Sequence, residues 1–388
     1  MLLPASAGVM ALNIFRFAFF TIFTGLHCCL LAGLFREWRW DRRRVKRSGP
    51  PATVSVVVPI HNEASRLPRL LETLALQDYP QRELVFIDDR STDGSARMLR
   101  CFAALHPATV LITLEENPGP NRKQYALRRG IEAASGGLLL LTDADCEGNP
   151  GWIRAMSARM ADPRIGVSLG PVFKRPGKAG FFHRYQCFDH AVRYMYLAAS
   201  TGLGAAGGGF GNNLIIRREA LDAIGGYQMV PPSPTEDAAL ISQVRRATHY
   251  QVRAVCASDA WVFTAGEPAW KALIHQTLRW NNGGLFSPDL LTRLNFSFLM
   301  IAISLGILAI PLLPFFPRLW PLTAAVLISM TMNTLAVLGL FSAALPPRGI
   351  SYGVQVLFTP AFFTFLTLLG FFGLKPSWKG SVYSQPDR

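Results

Sequence analysis

Residues 138–146 read LLLLTDADC, and this stretch decides the fold. Four leucines between Gly137 and a polar turn make a short apolar run, the pattern of a strand buried on both faces. Asp143 and Asp145 follow where that strand ends, at the carboxyl edge where open α/β sheets bind ligands. Two carboxylates one residue apart can clamp a hard divalent cation and, through it, a diphosphate. An Asp-x-Asp also serves as a turn or helix cap, so its meaning rests on its neighbours.

Those neighbours repeat the pattern. Residues 54–58 (VSVVV) predict a central strand leading into the loop 59–63, and residues 66–76 have helical periodicity. Residues 84–87 predict a second buried strand ending at Asp88 and Asp89, with 91–95 capping a helix to about residue 105. A third strand at 110–114 and a turn-plus-helix carrying Lys123 then lead back to the leucines. Such alternation predicts a mainly parallel sheet with right-handed crossovers. Three strands thus end in acidic loops at one edge: Glu63, Asp88 with Asp89, and Asp143 with Asp145. Each acid alone reads as a cap or turn residue; the convergence does not.

The following segments are less regular. Residues 181–199 form an aromatic-rich helical pattern, then a glycine-rich stretch precedes a short strand at 213–216 and a helix from Arg218. The glycines lack a preceding strand and G-x-G-x-x-G spacing, which excludes a dinucleotide fold. They either admit a bulky substrate close to backbone or form a mobile loop. Thr235, Glu236 and Asp237 stand at a helix start, where an N-cap with acidic first-turn residues is the plain reading. Residues 270–280 (WKALIHQTLRW) are amphipathic, and Gln276, Arg279 and Trp280 share one face at i, i+3, i+4. An arginine there suits bidentate contact with phosphate.

Of 388 residues, 50% are hydrophobic and only 16% charged, with mean hydropathy +0.24, which points to membrane segments. The net charge of +14 accompanies no basic-aromatic module or zinc pattern, so it fits anionic lipid and not nucleic acid. Six scattered cysteines without ligand spacing read as reduced thiols. Residues 17–35, extended by 11–15, are apolar apart from Arg16 at the near end and His27, and long enough to span a bilayer. Behind them, residues 36–47 carry seven basic against two acidic residues, which places the N-terminus outside and the following domain in the cytoplasm. Charge that follows the apolar core marks an anchor, not a cleaved signal. Arg16 suits snorkelling to the outer interface. Trp38 and Trp40 suit an interfacial belt or a partner-binding patch. Residues 296–316, 320–345 and 350–372 are further spans, with Pro311, Pro314 and Pro360 as kinks within a bundle. Three spans leave the tail outside, whereas Lys375 and Lys379 prefer inside, so either the tail is external or one segment is re-entrant.

With these motifs in order, the chain resembles membrane-bound family 2 glycosyltransferases of the GT-A fold, from about residue 54 to 280. The resemblance rests on VVVPIHNE, FIDDRSTDGS, the Lys123 helix, LLTDADC, GFGNNLIIRREALDAIGGY, TED and QTLRW. It implies Asp89 as the nucleotide-base contact, Lys123 beside the donor, and Pro59 and Glu63 on the donor side. It further implies Asp143 and Asp145 as the metal-diphosphate element, with Asp145 the direct ligand of Mg²⁺ or Mn²⁺, and Asp237 as catalytic base preceded by Glu236. Gln276, Arg279 and Trp280 match a Gln-x-x-Arg-Trp motif, with Arg279 on the donor diphosphate and Gln276 and Trp280 toward the acceptor; Asn213 and Glu236 also fall on the acceptor side. Two departures stand out: His61 replaces a common tyrosine, and Asn-Arg-Lys replaces Gly-Lys, so that Arg122 can share the role of Lys123.

The expected organisation is an anchor at 11–35, a basic juxtamembrane linker at 36–51, a cytoplasmic GT-A domain at 52–266, an interfacial helical region at 267–292, membrane helices at 293–374 and a basic tail at 375–388. The expected reaction is inverting transfer from a nucleotide-diphosphate sugar, a UDP-sugar first among them, to a hydroxyl of a membrane lipid (carotenoid-, sterol-, polyprenyl- or ceramide-like), in a bacterial inner membrane. Rival readings are a polysaccharide synthase, for which three C-terminal spans make a small channel, and a non-catalytic nucleotide-sugar-binding subunit, against which the intact acidic set argues. A transporter is disfavoured by few spans without polar midplane residues.

Overall fold

The computed structural model describes residues 5–43, 52–116, 121–175, 177, 180–233, 235–346, 351–372, 377–378 and 381–382. The first half of the sheet domain runs β1 (Val54–Ile60), α2 (Leu67–Ala75), β2 (Arg82–Asp88), α3 (Ser95–Leu105), β3 (Thr109–Thr113), α4 (Arg122–Ala133) and β4 (Leu138–Leu141), after an N-terminal helix α1 (Ala5–Asp41). The second half contains β5 (Cys146–Gly148), α5 (Trp152–Ala158), β6 (Ile165–Leu169), β7 (Val172–Lys174), α6 (Phe181–Gly202), β8 (Leu214–Arg217), α7 (Arg218–Asp222), α8 (Glu236–Ala247), β9 (Gln251–Ala254) and β10 (Val262–Thr264). Then come α9 (Trp270–Leu285), α10 (Leu290–Leu308), α11 (Trp320–Phe341) and α12 (Ser351–Phe371).

Seven strands form one sheet in the order β3-β2-β1-β4-β8-β6-β9, with only β8 antiparallel to its neighbours. Side chains alternate between faces along a strand. Val57, Val85, Ile87, Leu139 and Leu141 pack with α4, α6 and α8 on one face. Val56, Val58, Phe86, Leu138 and Leu140 pack with α2, α3 and α5 on the other. The four-leucine run is therefore apolar at every position because both faces are covered. Where β8 reverses direction beside β4, Leu214 pairs with Leu141, which carries the glycine-rich loop alongside Asp143. A second sheet, β5-β10-β7, starts at Cys146 and brings Lys174 and Thr264 to the same edge.

Four helices are long and apolar enough to cross a membrane, within α1, α10, α11 and α12. Helix α1 continues to Asp41, so the first part of the expected linker 36–51 is helix docked on the sheet domain; residues 44–51 lie outside the described residues. Its buried Glu37 accepts from the Ala254 N–H at 2.8 Å and Arg253 at 3.1 Å. Asp41 accepts from the N–H groups of Cys256 and Ala257 and from Arg159 at 2.8 Å. Trp40 lies under the Arg253 guanidinium at 4.4 Å, so it packs on the domain as a partner patch would. Helices α1 and α6 cross with backbones in contact: a Cβ on Gly202 would lie 2.0 Å from the Gly33 carbonyl. Arg16 bonds Asn13 and the carbonyl of Arg318, tying the start of α1 to the α10–α11 turn.

Pro311 and Pro314 end a helix instead of kinking one: α10 stops at Leu308, followed by 3-10 turns. A ring without an N–H that clashes with the preceding turn accounts for this. Pro360 alone of the three sits inside a helix. The end of α12 returns to α9, where a Cβ on Gly370 would lie 3.8 Å from Leu278, and the short strand Ser377–Trp378 contacts α9. Residues 377–378 thus lie against α9; Lys375 and Lys379 lie outside the described residues.

Candidate active site

A cavity of about 1180 Å³ opens at the carboxyl edge of β1, β2 and β4. Pro59, Glu63, Asp89, Lys123, Asp143, Asp145, Glu236, Asp237, Gln276, Arg279 and Trp280 all line it. Parallel strands bring the first of these together, since equivalent ends of neighbouring strands share one edge. Lys123, in the first turn of α4, reaches across to Asp143 at 2.9 Å and to Glu236 at 3.3 Å. Burial opposes the charge on Lys123, yet Asp143 and Glu236 outweigh it and hold the ammonium well above its usual range. Asp89 is held by Arg90 at 2.5 Å, and its carbonyl bonds His61 Nδ1 at 2.5 Å, so His61 here buttresses the β2 loop. Asn62 and Arg90, one in each of these loops, adopt left-handed backbone (φ 54° and 57°), a conformation that costs a side-chain-bearing residue about 1–3 kcal/mol and clusters at functional sites. Arg122 lines the cavity beside Lys123.

At the start of α8, Thr235 makes no side-chain cap bond, so the plain N-cap reading does not describe the segment. Asp237 instead turns inward: Oδ2 accepts from the Gly211 N–H at 2.7 Å and Oδ1 from the Ala238 N–H at 2.8 Å. Burial, reinforced by the negative Glu236 and opposed by Lys123, pushes its carboxyl up to about 6. A carboxylate with such a pKa is suited to take a proton near neutral pH.

The glycine-rich loop is packed among helices. A Cβ on Gly207 would meet Thr292 of α10, one on Gly209 would meet Ile241 of α8, and one on Gly211 would lie 3.1 Å from Asp237 Cβ. Its glycines therefore permit close helix approach, a role that neither expectation for the loop named. Asn213 differs from expectation. It is fully buried, with its amide donating to the carbonyls of Pro171 and Ala260 and accepting from Trp152 Nε1 at 3.0 Å. The turn closed by the Asn213 N–H on the Phe210 carbonyl at 2.9 Å leaves Asn212 lining the cavity and Asn213 in the core.

Several cavity residues escaped the sequence reading. Thr264 donates to Asp145 Oδ2 at 2.8 Å, and Lys174 donates to the Ala265 carbonyl at 3.1 Å. Burial pulls the Lys174 ammonium down despite Asp145 and Glu267 nearby. Glu267 accepts from Gln276 at 2.6 Å, which orients the Gln-x-x-Arg-Trp face. Trp280 is covered by the Arg193 guanidinium at 5.1 Å, itself paired with Asp189 at 2.7 Å. Only the Asp189–Arg193 pair had a signal, its i, i+4 spacing in a predicted helix.

No group of three or more metal-type side chains occurs among the described residues. The partly exposed Asp143 and the Thr264-oriented Asp145 nonetheless fit Mg²⁺ or Mn²⁺, hard ions that take one or two carboxylates and complete their shell with phosphate oxygens and water.

Residues 55–225 match the family model described as glycosyl transferase family 2. The chain is 38% identical over 101 residues to an undecaprenyl-phosphate 4-deoxy-4-formamido-L-arabinose transferase of Aeromonas hydrophila, covering 25% of this chain and 30% of that one. It is 25% identical over 266 residues to a beta-monoglucosyldiacylglycerol synthase of Nostoc, covering 68% and 55%. The chain thus spans no more than about half the length of these relatives. Among solved structures, the mannosyltransferase PcManGT of Pyrobaculum calidifontis, in complex with GDP-Man and Mn²⁺, aligns over 93% of this chain and 99% of its own, with TM-score 0.57 and 19% identity. That likeness establishes the GT-A arrangement of the fold.

Proposed function

This chain carries a glycosyl transferase family 2 domain at residues 55–225, and we propose that the protein moves a sugar from a nucleotide-diphosphate sugar to a hydroxyl of a membrane-embedded lipid, inverting the anomeric centre. The observation that carries this reading is the continuity of the cavity. From the acidic edge it runs into the membrane helices, where Leu30 of α1, Leu299 and Ile303 of α10, Met330 of α11 and Phe363 of α12 line it. A water-soluble acceptor has no use for such a wall; a lipid tail does.

In this reading the acceptor hydroxyl lies against Asp237, which takes its proton as the oxygen attacks the anomeric carbon and the nucleotide diphosphate departs from the opposite face. General-base help of this kind contributes about 10²–10⁴-fold. Glu236 and Lys123 set the basicity of Asp237, the Gly211 N–H fixes its orientation, and Arg279 offers positive charge to the departing diphosphate. A Mg²⁺ or Mn²⁺ held by Asp145 and Asp143 would neutralise that diphosphate when bound. One base beside one diphosphate site suits inversion, whereas a hydrolase sets two carboxylates about the bond. The relatives' names, an undecaprenyl-phosphate sugar transferase in one and a glucosyldiacylglycerol synthase in the other, support a lipid acceptor here.

The test is incubation of membranes containing the protein with a panel of labelled sugar nucleotides, followed by mass spectrometry of the extracted lipids. One labelled lipid bearing a single added sugar is expected, absent with Asp237→Asn. Label appearing only in a growing polymer would replace this reading with a synthase, and no transfer from any donor would replace it with a binding subunit.

A further inference from the structure

A second cavity, of about 460 Å³, lies between the end of α1 and β9 and shares no lining residue with the first. Its polar wall is four guanidinium groups. Arg36 and Arg39 stand at i and i+3 on α1, Arg43 follows just past its end, and Arg253 faces them from the edge strand of the sheet. Its other wall is Ala32, Phe35 and Trp40, at the end of the apolar span. The cavity therefore straddles the border at which an apolar helix meets its basic flank, the level of phospholipid headgroups.

The protein neutralises only part of the charge there, through the Glu37–Arg253 pair. Of the two acids on this part of α1, Glu37 is engaged by the Ala254 N–H and Arg253, and Asp41 turns away to Arg159 and two backbone N–H groups. Among the described residues, neither Arg39 nor Arg43 meets a carboxylate, and Arg36 donates only to the carbonyl of Gly202, at 3.0 Å. The neighbouring Arg36 and Arg43 charges contribute to pulling the Arg253 guanidinium below its usual range, behind burial as the larger cause. Arginine forks match phosphate oxygens, and the aromatic and alanine wall offers the first methylenes of an acyl chain an apolar surface.

We propose that this cavity is a regulatory or structural binding site for the phosphate headgroup of an anionic phospholipid, separate from the acceptor site. Occupancy would join α1 to β9 through a shared anion and so reinforce the docking already made by Glu37 and Asp41. The same phosphate chemistry is offered by free phosphate in solution, and the position at the end of the apolar span selects the lipid.

The experiment uses the full chain in nanodiscs of phosphatidylglycerol mixed with phosphatidylcholine, released for native mass spectrometry. Wild type is expected to retain one phosphatidylglycerol in preference to phosphatidylcholine. Arg39→Gln/Arg43→Gln, which keeps Arg42, Arg44 and Lys46 to hold topology, is expected to retain it about thirtyfold less well. Arg39→Lys/Arg43→Lys, which preserves the charge but not the forks, is expected to recover part of the retention, showing that the glutamine variant lost a ligand and not its fold. Equal retention by wild type and Arg39→Gln/Arg43→Gln, or no preference over phosphatidylcholine, overturns the proposal. Displacement of the lipid by millimolar inorganic phosphate alone assigns the site to a soluble anion and overturns the lipid.

Discussion

The backbone N–H of Gly211 donates to Asp237 Oδ2 at 2.7 Å, and a Cβ on Gly211 would stand 3.2 Å from that same oxygen. A loop thus aims the proposed base, from a distance at which a methyl group would crowd it. Gly211→Ala is expected to push the carboxylate by a few tenths of an ångström and lower kcat about tenfold, with donor KM and the melting temperature little changed. Steady-state kinetics with both substrates check this, and unchanged kcat would remove Gly211 from the positioning of Asp237.

Asp237 titrates at about 6, so its basic form is lost as pH falls through that value. The acid limb of kcat/KM is expected to bend near pH 6 and fall tenfold per unit below it. Glu236 raises this pKa and Lys123 lowers it, so Glu236→Gln should move the limb down and Lys123→Gln should move it up. The same shift has a stability sign: a carboxyl raised in the folded state contributes stability that is present below its unfolded pKa and is lost as pH rises through about 6. A pH–rate profile for each variant reads the first effect, and melting curves between pH 4 and 8, taken without substrate, read the second.

Chelation of divalent metal is expected to lower transfer strongly, with recovery on adding Mn²⁺ or Mg²⁺. Asp145→Ala should weaken that recovery more than Asp143→Ala, because Asp145 is preset by Thr264 while Asp143 is shared with Lys123. Metal titration of donor binding by calorimetry checks the order.

The lipid arm of the cavity predicts a split between substrates. Leu299→Trp fills space between α10 and its neighbours and should raise the acceptor KM about tenfold or more while leaving the donor KM unchanged. Leu299→Ala should leave both near wild type. Equal effects on donor and acceptor would count against a lipid-binding wall.

The docking of α1 predicts a stability change away from the site. Asp41→Ala leaves the Cys256 and Ala257 N–H groups without their acceptor and strips Arg159 of one of two carboxylates. A loss of about 3 kcal/mol is expected. A melting temperature lower by several degrees and faster proteolysis between α1 and β1 are the readouts.

The strand-helix alternation and the acids at strand ends were legible because they depend on local order. A run apolar at every position specifies a strand covered on both faces, and parallel neighbours must end at one edge, so Glu63, Asp89, Asp143 and Asp145 could be grouped without knowing which strand lay beside which. The membrane helices were legible for the same reason, since length and hydropathy are properties of single segments. Boundaries followed less well where a distant partner decided them. Helix α1 continues past its apolar stretch because Glu37 and Asp41 find acceptorless N–H groups on the segment 254–257, more than two hundred residues away.

Tertiary structure alone decided the rest of the site. Lys174, Thr264 and Glu267 reach it through the second sheet, whose strands come from three separate parts of the chain. Adjacent Asn212 and Asn213 were indistinguishable in sequence, and the direction each faces was set by how β8 reverses beside β4. Glu236 and Asp237 looked like first-turn acids of a capped helix, and it is the packing of α4 and the glycine loop against that turn that makes one an ion-pair partner and the other a buried carboxyl raised to about 6. Sequence determines which side chains a segment can offer and on which face; which faces meet depends on contacts between residues far apart in the chain, and those form only when the whole sheet and bundle are assembled.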